Sequence, residues 1–131
     1  MSRITVRTDR REQMVDVTRE VADAVEASGV AHGIAHVYST HTTAGVTINE
    51  NADVDVVHDL LQGLGRLAPH SAGWRHAEGN SDAHLKASLV GAGVTVPVAD
   101  GRLLLGQWQG IYLCEFDGPR SRRLIVTVVG T

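Results

Sequence analysis

Val94-Thr95-Val96-Pro97-Val98-Ala99-Asp100-Gly101-Arg102-Leu103-Leu104-Leu105-Gly106 reads as two strands, 94–98 and 102–106, on either side of an Asp-Gly turn. Asp-Gly suits the two-residue hairpin turn, whose central residues need positive φ. Pro97 cannot donate to a ladder, which marks its strand as an edge or bulged one. Similar patterning continues in both directions. Downstream, 108–116 and 121–129 read as a final hairpin around Asp117-Gly118-Pro119-Arg120. Upstream, residues 33–40 alternate, with Ile34, His36 and Tyr38 on one face and Ala35 and Val37 on the other. His41-Thr42-Thr43 then turns the chain into a strand at 44–49, and 3–8 and 12–16 form two short strands around Asp9-Arg10.

Three segments switch to helical period. Over 18–28, Thr18 or Asp16 can cap, Val21, Val25 and Ser28 follow one face, and Gly29 ends the run. Over 53–66, Val54, Val57, His58, Leu61 and Leu64 recur on one stripe. Asp53 and Asp55 sit at its positive end and Arg66 at its negative end, as the helix dipole prefers. Ser81 reads as the N-cap of a helix running to about Val90. About eight strands, mostly in adjacent pairs, with three helices predict one α+β domain over 1–131. The expected form is two-layered: a largely antiparallel mixed sheet with the helices on one face. The other face then needs cover, which a subunit partner supplies.

The bulk numbers narrow the function. A chain of 131 residues is long enough to bury a core without a disulfide or structural metal. The formal charge of −3 and a basic cluster limited to Arg120, Arg122 and Arg123 argue against nucleic acid. No apolar run is long enough for a signal peptide or a membrane span, so the expected location is cytoplasmic. Cys114, the one cysteine, lies in an apolar strand with no adjacent cation and reads as buried and structural.

Polar residues gather in three clusters. His76-Ala77-Glu78-Gly79-Asn80-Ser81-Asp82-Ala83-His84 places two His and two carboxylates across a tight turn and a helix start. His76 and His84 with Glu78 or Asp82 would suit a divalent metal with open positions; alternatively the carboxylates only cap the helix. The amides of Asn80 and Ser81 at a helix N-terminus suit a phosphate, and Arg120 adds a bidentate contact. The second cluster is His41-Thr42-Thr43 with Asn49-Glu50-Asn51, at the two ends of one short strand. The third is Trp108-Gln109 with Cys114–Arg120, where Trp108 is either core or a grip for a flat heterocycle. His58 and His36, set in line with apolar neighbours, read as core-edge or interface residues.

The motifs HTTAG at 41–45, NENAD at 49–53, HAEGNSDAHLKAS at 76–88, GQWQGIYLCEFDGPR at 106–120 and VTVVG at 126–130 together resemble the YjbQ-like family of secondary thiamine-phosphate synthases. The resemblance covers nearly the whole chain in order. It departs at Val54, where members often carry Pro at the helix start. It implies a compact α+β subunit in a homotrimer. It also implies a weak ability to join a hydroxymethylpyrimidine diphosphate to a thiazole phosphate. The His-lined, metal-capable pocket it implies points to His41, His76 and His84 as ligands. Glu50, Glu78 and Asp82 are then general bases or supports for the imidazoles. Thr42, Thr43, Asn80, Ser81, Trp108, Gln109 and Arg120 are the substrate-binding candidates, for a small phosphorylated or heterocyclic molecule. Imidazole donors favour zinc or another transition metal over magnesium. The residues also admit another class: a non-catalytic homotrimer that binds a metal or a small ligand.

Overall fold

The computed structural model describes residues 1–131 as β1 (Ser2–Arg7), β2 (Gln13–Asp16), α1 (Thr18–Ser28), β3 (Gly33–Ser39), β4 (Ala44–Glu50), α2 (Val54–Leu67), α3 (Ser81–Val90), β5 (Gly93–Ala99), β6 (Arg102–Leu103), β7 (Gln109–Glu115) and β8 (Ser121–Gly130). The fold is α+β, with eight strands and three helices, and every strand pair is antiparallel. The strands do not make one sheet. They divide into a large sheet, β1-β8-β3-β5-β6, and a small one, β2-β7-β4. The physical reason is β7, in which alternation is lost and Gly110–Glu115 are all buried. Ile111 and Leu113 face the large sheet, while Tyr112 and Cys114 face the helices. A strand apolar on both sides has to lie between two layers.

The inner faces of both sheets supply one core, with Val37, Val96, Leu124 and Val126 meeting Ala44, Val46, Ile111 and Leu113. The helices are correspondingly not on one face. Val21 and Ala24 of α1 join this inter-sheet core, and Val25 packs with Ala35 and Val98 of the large sheet. The outer face of the small sheet is covered by Ala83 and Ala87 of α3, with Val57, Leu61 and Leu64 of α2 alongside.

Local signals set most boundaries. Gly29 ends α1 with φ 72°, and Asp53 caps α2 by accepting from the Asp55 amide at 2.9 Å. α3 begins one residue earlier in register than read from the sequence: Asn80 holds the N-cap position and Ser81 is already helical. The β5–β6 turn is the hairpin expected, with φ 52° at Asp100 and 73° at Gly101. Its second strand stops at Leu103: the Leu104 N–H still donates to the Pro97 carbonyl at 2.8 Å, but Pro97 has no N–H to return the bond, and Leu105 leaves the ladder.

The segment around Asp117-Gly118-Pro119-Arg120 is not a hairpin. β7 belongs to the small sheet and β8 to the large one, so this turn carries the chain between sheets. The β1–β2 and β3–β4 turns do the same. All three crossings lie at one end of the sandwich, since Gln13 and Ala44 both pair with Glu115 while Arg7 pairs with Ser121. No helix is long and apolar enough to cross a membrane.

Candidate functional site

The three crossing turns are tied together by a buried ion pair. Glu115 continues the inward phase of Ile111 and Leu113, and Arg122 the inward phase of Leu124 and Val126. Both are almost fully buried. Arg122 donates through Nε to Glu115 Oε1 at 2.9 Å and through Nη2 to Oε2, and Nη2 also donates to Thr43 Oγ1 at 2.8 Å. The Thr8 hydroxyl donates to Glu115 Oε1 at 2.7 Å and the Asp117 amide to Oε2 at 3.1 Å. Burial alone would raise the Glu115 pKa, but the hydrogen bonds from Arg122 and Thr8 outweigh it and hold the carboxyl below its ordinary value. Gly118 is required nearby, because a Cβ there would collide with the Arg10 carbonyl.

Over this junction opens a cleft of about 860 Å³, lined by fourteen residues of which only Trp74 and Leu85 are hydrophobic. The β3–β4 turn contributes Thr40, His41, Thr42 and Thr43. The loop before α3 and its first turn contribute His76, Glu78, Asn80, Ser81 and His84. Asp117, Arg120 and Arg122 close the third side. The loop is shaped by its own polar contacts: Trp74 Nε1 donates to Pro69 O at 3.1 Å, and His70 Nε2 bonds Gly79 O at 2.9 Å.

Each candidate has a definite setting. The His41 Nε2 accepts the Arg123 backbone N–H at 2.9 Å, and burial together with the Arg122 charge lowers the pKa of the ring. The His76 and His84 rings meet edge to face with centroids 5.6 Å apart, and His76 Nε2 lies 3.8 Å from Glu78 Oε2. Asn80 Nδ2 donates to Asp117 Oδ2 at 2.8 Å, which fixes the amide orientation, since a flipped amide would face two oxygens together. Its Oδ1 is buried and has no partner. Arg120 donates to the same Asp117 oxygen at 3.0 Å and to the Asp117 carbonyl at 2.7 Å.

Thus nine of the thirteen candidates read from the sequence share the cleft, and Glu50, Asp82, Trp108 and Gln109 do not. Asp82 points off the other side of α3, fully buried, held by Arg11 at 3.1 Å and Lys86 at 3.0 Å. Burial pushes its pKa up, but the hydrogen bonds from Arg11 and Lys86 bring it down to about 2. It is a structural anion, with both oxygens paired away from the cleft. Glu50 and Gln109 pair with each other at the far end of β4 and β7, and Trp108 is exposed beside them. Six residues of strand separate them from Ala44↔Glu115, about 20 Å at 3.4 Å per residue. Cys114 is buried, as read, with its thiol pushed up to about 12 by burial.

The three-histidine metal centre expected from the resemblance is not assembled. No group of three or more His, Cys, Asp or Glu stands close enough to hold an ion. The His41 Nε2 lone pair is already taken by a backbone N–H. Only His76 and His84 remain as an imidazole pair. Sequence reasoning missed Asp117 and Arg122, although an Arg in the inward phase of β8 was the available signal.

Fold and site together define a class: a small α+β double-sheet protein whose polar, donor-rich cleft sits where three turns change sheets. Residues 2–131 match the family described as UPF0047 protein YjbQ-like, and the chain belongs to it. A UPF0047 protein of Methanocaldococcus jannaschii is 50% identical over 95% of this chain and 91% of its own length. YugU of Bacillus subtilis is 49% identical over 97% of both chains. Among solved structures, an uncharacterised YjbQ/UPF0047 protein of Clostridium acetobutylicum is 46% identical, with a TM-score of 0.97 over 98% of this chain and all of that one.

Proposed function

We propose that the chain is a small metabolic enzyme acting on a small phosphorylated substrate in this cleft. The observation that carries the reading is the cleft's composition: three His, two Arg and an uncapped helix start in one open cavity with two hydrophobic lining residues. Helix-start amides and guanidinium groups are the donors an anionic phosphate recruits. Trp74, on the cleft wall, offers the aromatic surface that Trp108 does not.

The finer proposal, suggested by the family resemblance, is a weak, secondary thiamine-phosphate synthase reaction. The thiazole nitrogen would form a C–N bond to the pyrimidine methylene carbon, and the C–O bond to diphosphate would break, with pyrophosphate taking the electron pair. No base is needed, because the attacking nitrogen carries no proton. The protein's task is to hold both ring systems in line and to stabilise the departing charge. That demand matches a site whose one carboxylate free of Arg pairing, Glu78, is exposed. The working form we propose is a cytoplasmic homotrimer, with the outer face of the large sheet covered by neighbouring copies.

The test is incubation of the purified protein with both precursors and detection of thiamine phosphate and pyrophosphate in equal amounts. Product that requires both precursors and is lost in the His84→Ala variant is the expected outcome. No product above the protein-free rate, with a phosphorylated ligand retained, would replace this reading with the non-catalytic binding protein.

A further inference from the structure

β3 leaves β8 after the Ser39↔Leu124 pair, while β8 runs on to Ser121 beside β1 alone. The Arg123 amide therefore has no strand to pair with on that side. It donates instead to His41 Nε2 at 2.9 Å. A backbone amide can only donate, so this nitrogen must carry its lone pair. In a neutral imidazole the proton then sits on Nδ1. Placing a proton on Nε2 would set two N–H groups against each other and break the bond to the Arg123 amide. The second ring nitrogen, Nδ1, has no acceptor within the protein, and the residue lines the cleft.

The neighbouring cation is equally fixed. Arg122, 4% exposed, spends Nε and Nη2 on Glu115 and Thr43. Its Nη1 has no partner in the protein, and the residue lines the cleft. His41 and Arg122 thus present Nδ1–H and Nη1–H donors, from one ring held by the exposed Arg123 amide and one guanidinium that cannot turn away without leaving the buried Glu115 and Thr43 unpaired.

We propose that His41 acts as a fixed hydrogen-bond donor, its Nδ1–H and the Arg122 Nη1 together receiving an anionic oxygen of the ligand, and that it is neither a metal ligand nor a proton acceptor. This deepens the assignment of a phosphorylated substrate and rests on it for the identity of the anion. It does not rest on it for the tautomer, which the backbone of β8 sets in the free protein. Burial and the Arg122 charge, which both disfavour the imidazolium, support the neutral ring.

The experiment is side-chain nitrogen NMR of the full chain at pH 7, with inorganic phosphate and Zn²⁺ as separate probes. His41 is expected as the neutral Nδ1–H tautomer, with its Nδ1 signal moved by phosphate and neither nitrogen moved by stoichiometric Zn²⁺. His41→Ala should weaken phosphate binding about tenfold, the size of one lost hydrogen bond to a charged group. His41→Gln should restore most of it, because its amide can accept from Arg123 and still donate to the anion. An Nε2–H tautomer, an imidazolium, a zinc-induced shift at His41, or phosphate that binds without moving Nδ1 would each overturn the proposal. Absence of phosphate binding with the tautomer as expected would overturn the phosphorylated-substrate reading and the anion-receiving role, and leave the fixed tautomer standing.

Discussion

Lys86 is only 2% exposed in the middle of α3, and its ammonium is neutralised by Asp82 at 3.0 Å and Glu12 at 2.6 Å. Arg11 completes the cluster through the other Asp82 oxygen at 3.1 Å. Removing one partner from such a group leaves a buried charge without compensation, which is costlier than never having the pair. Asp82→Asn should therefore destabilise the fold by about 3 kcal/mol in chemical denaturation. The same carboxylate sets an acid limit. Its pKa is about 2 folded against an ordinary 3.8. The native state thus gains stability from it above pH ~4, on the order of 2 kcal/mol, and loses that gain as pH falls through about 2. Denaturation midpoints measured from pH 5 to 2 should show this drop in the wild type and lack its Asp82 share in the Asn variant. An Asp82→Asn protein as stable as wild type at pH 7 would refute the assignment.

α3 shows at the element scale what could be read from the sequence and what could not. Its limits were legible within a residue, because Gly91 and the polar run before Ser81 bound it. Its role was not, because it carries three different faces: Ala83 and Ala87 to the small sheet, Asp82 and Lys86 to the β1–β2 turn, and His84 to the cleft. Strand positions were likewise legible, from alternation or from the turn residues between them, whereas their partners were not. A four- or five-residue turn between two apolar runs reads as a hairpin whether the second run pairs with the first or enters another sheet. For the site, His41, Thr43, His76 and His84 stood out as polar residues in turns or at a helix start. Glu50, Trp108 and Gln109 stood out equally and lie at the wrong end of β4 and β7, a direction that residue type does not encode. The contact between α3 and β4 gives a test. A Cβ on Gly45 would lie 2.6 Å from the Gly91 carbonyl and 3.0 Å from Val90 Cγ1, beside the Val46 N–H bond to that same carbonyl. Gly45→Ala should cost about 1–3 kcal/mol by overpacking. Gly63→Ala, mid-α2 with nothing within 4 Å of its Cβ, should instead stabilise by roughly 1 kcal/mol through helix propensity. Thermal melts of the two variants should move in opposite directions.

For the molecule as a whole, three faces of the double sheet are accounted for and one is not. The small sheet has helices outside and the large sheet inside, and α1 fills the remaining inner space. The outer face of the large sheet carries Ile34, His36 and Tyr38 on β3, with Ile34 43% and Tyr38 44% exposed, and Val129 on β8 at 52%. The Pro97 position pairs with Ile34 across the ladder, and His36 Nδ1 bonds Thr95 Oγ1 at 2.8 Å on that surface. A sheet face with this much apolar surface is the pattern of a subunit interface rather than of a solvated edge. Burying it in a homotrimer would also place the Arg123 side chain, which shares that face, against a neighbour, while the Arg123 amide holds His41 at the cleft. Light scattering should then return three times the 14.0 kDa chain mass at micromolar concentration. Tyr38→Arg with Ile34→Asp, which put two charges into the face without touching the core, should shift the population to the single-chain mass and weaken phosphate binding together. A wild-type protein that runs at 14.0 kDa under those conditions would show that the face is left to solvent.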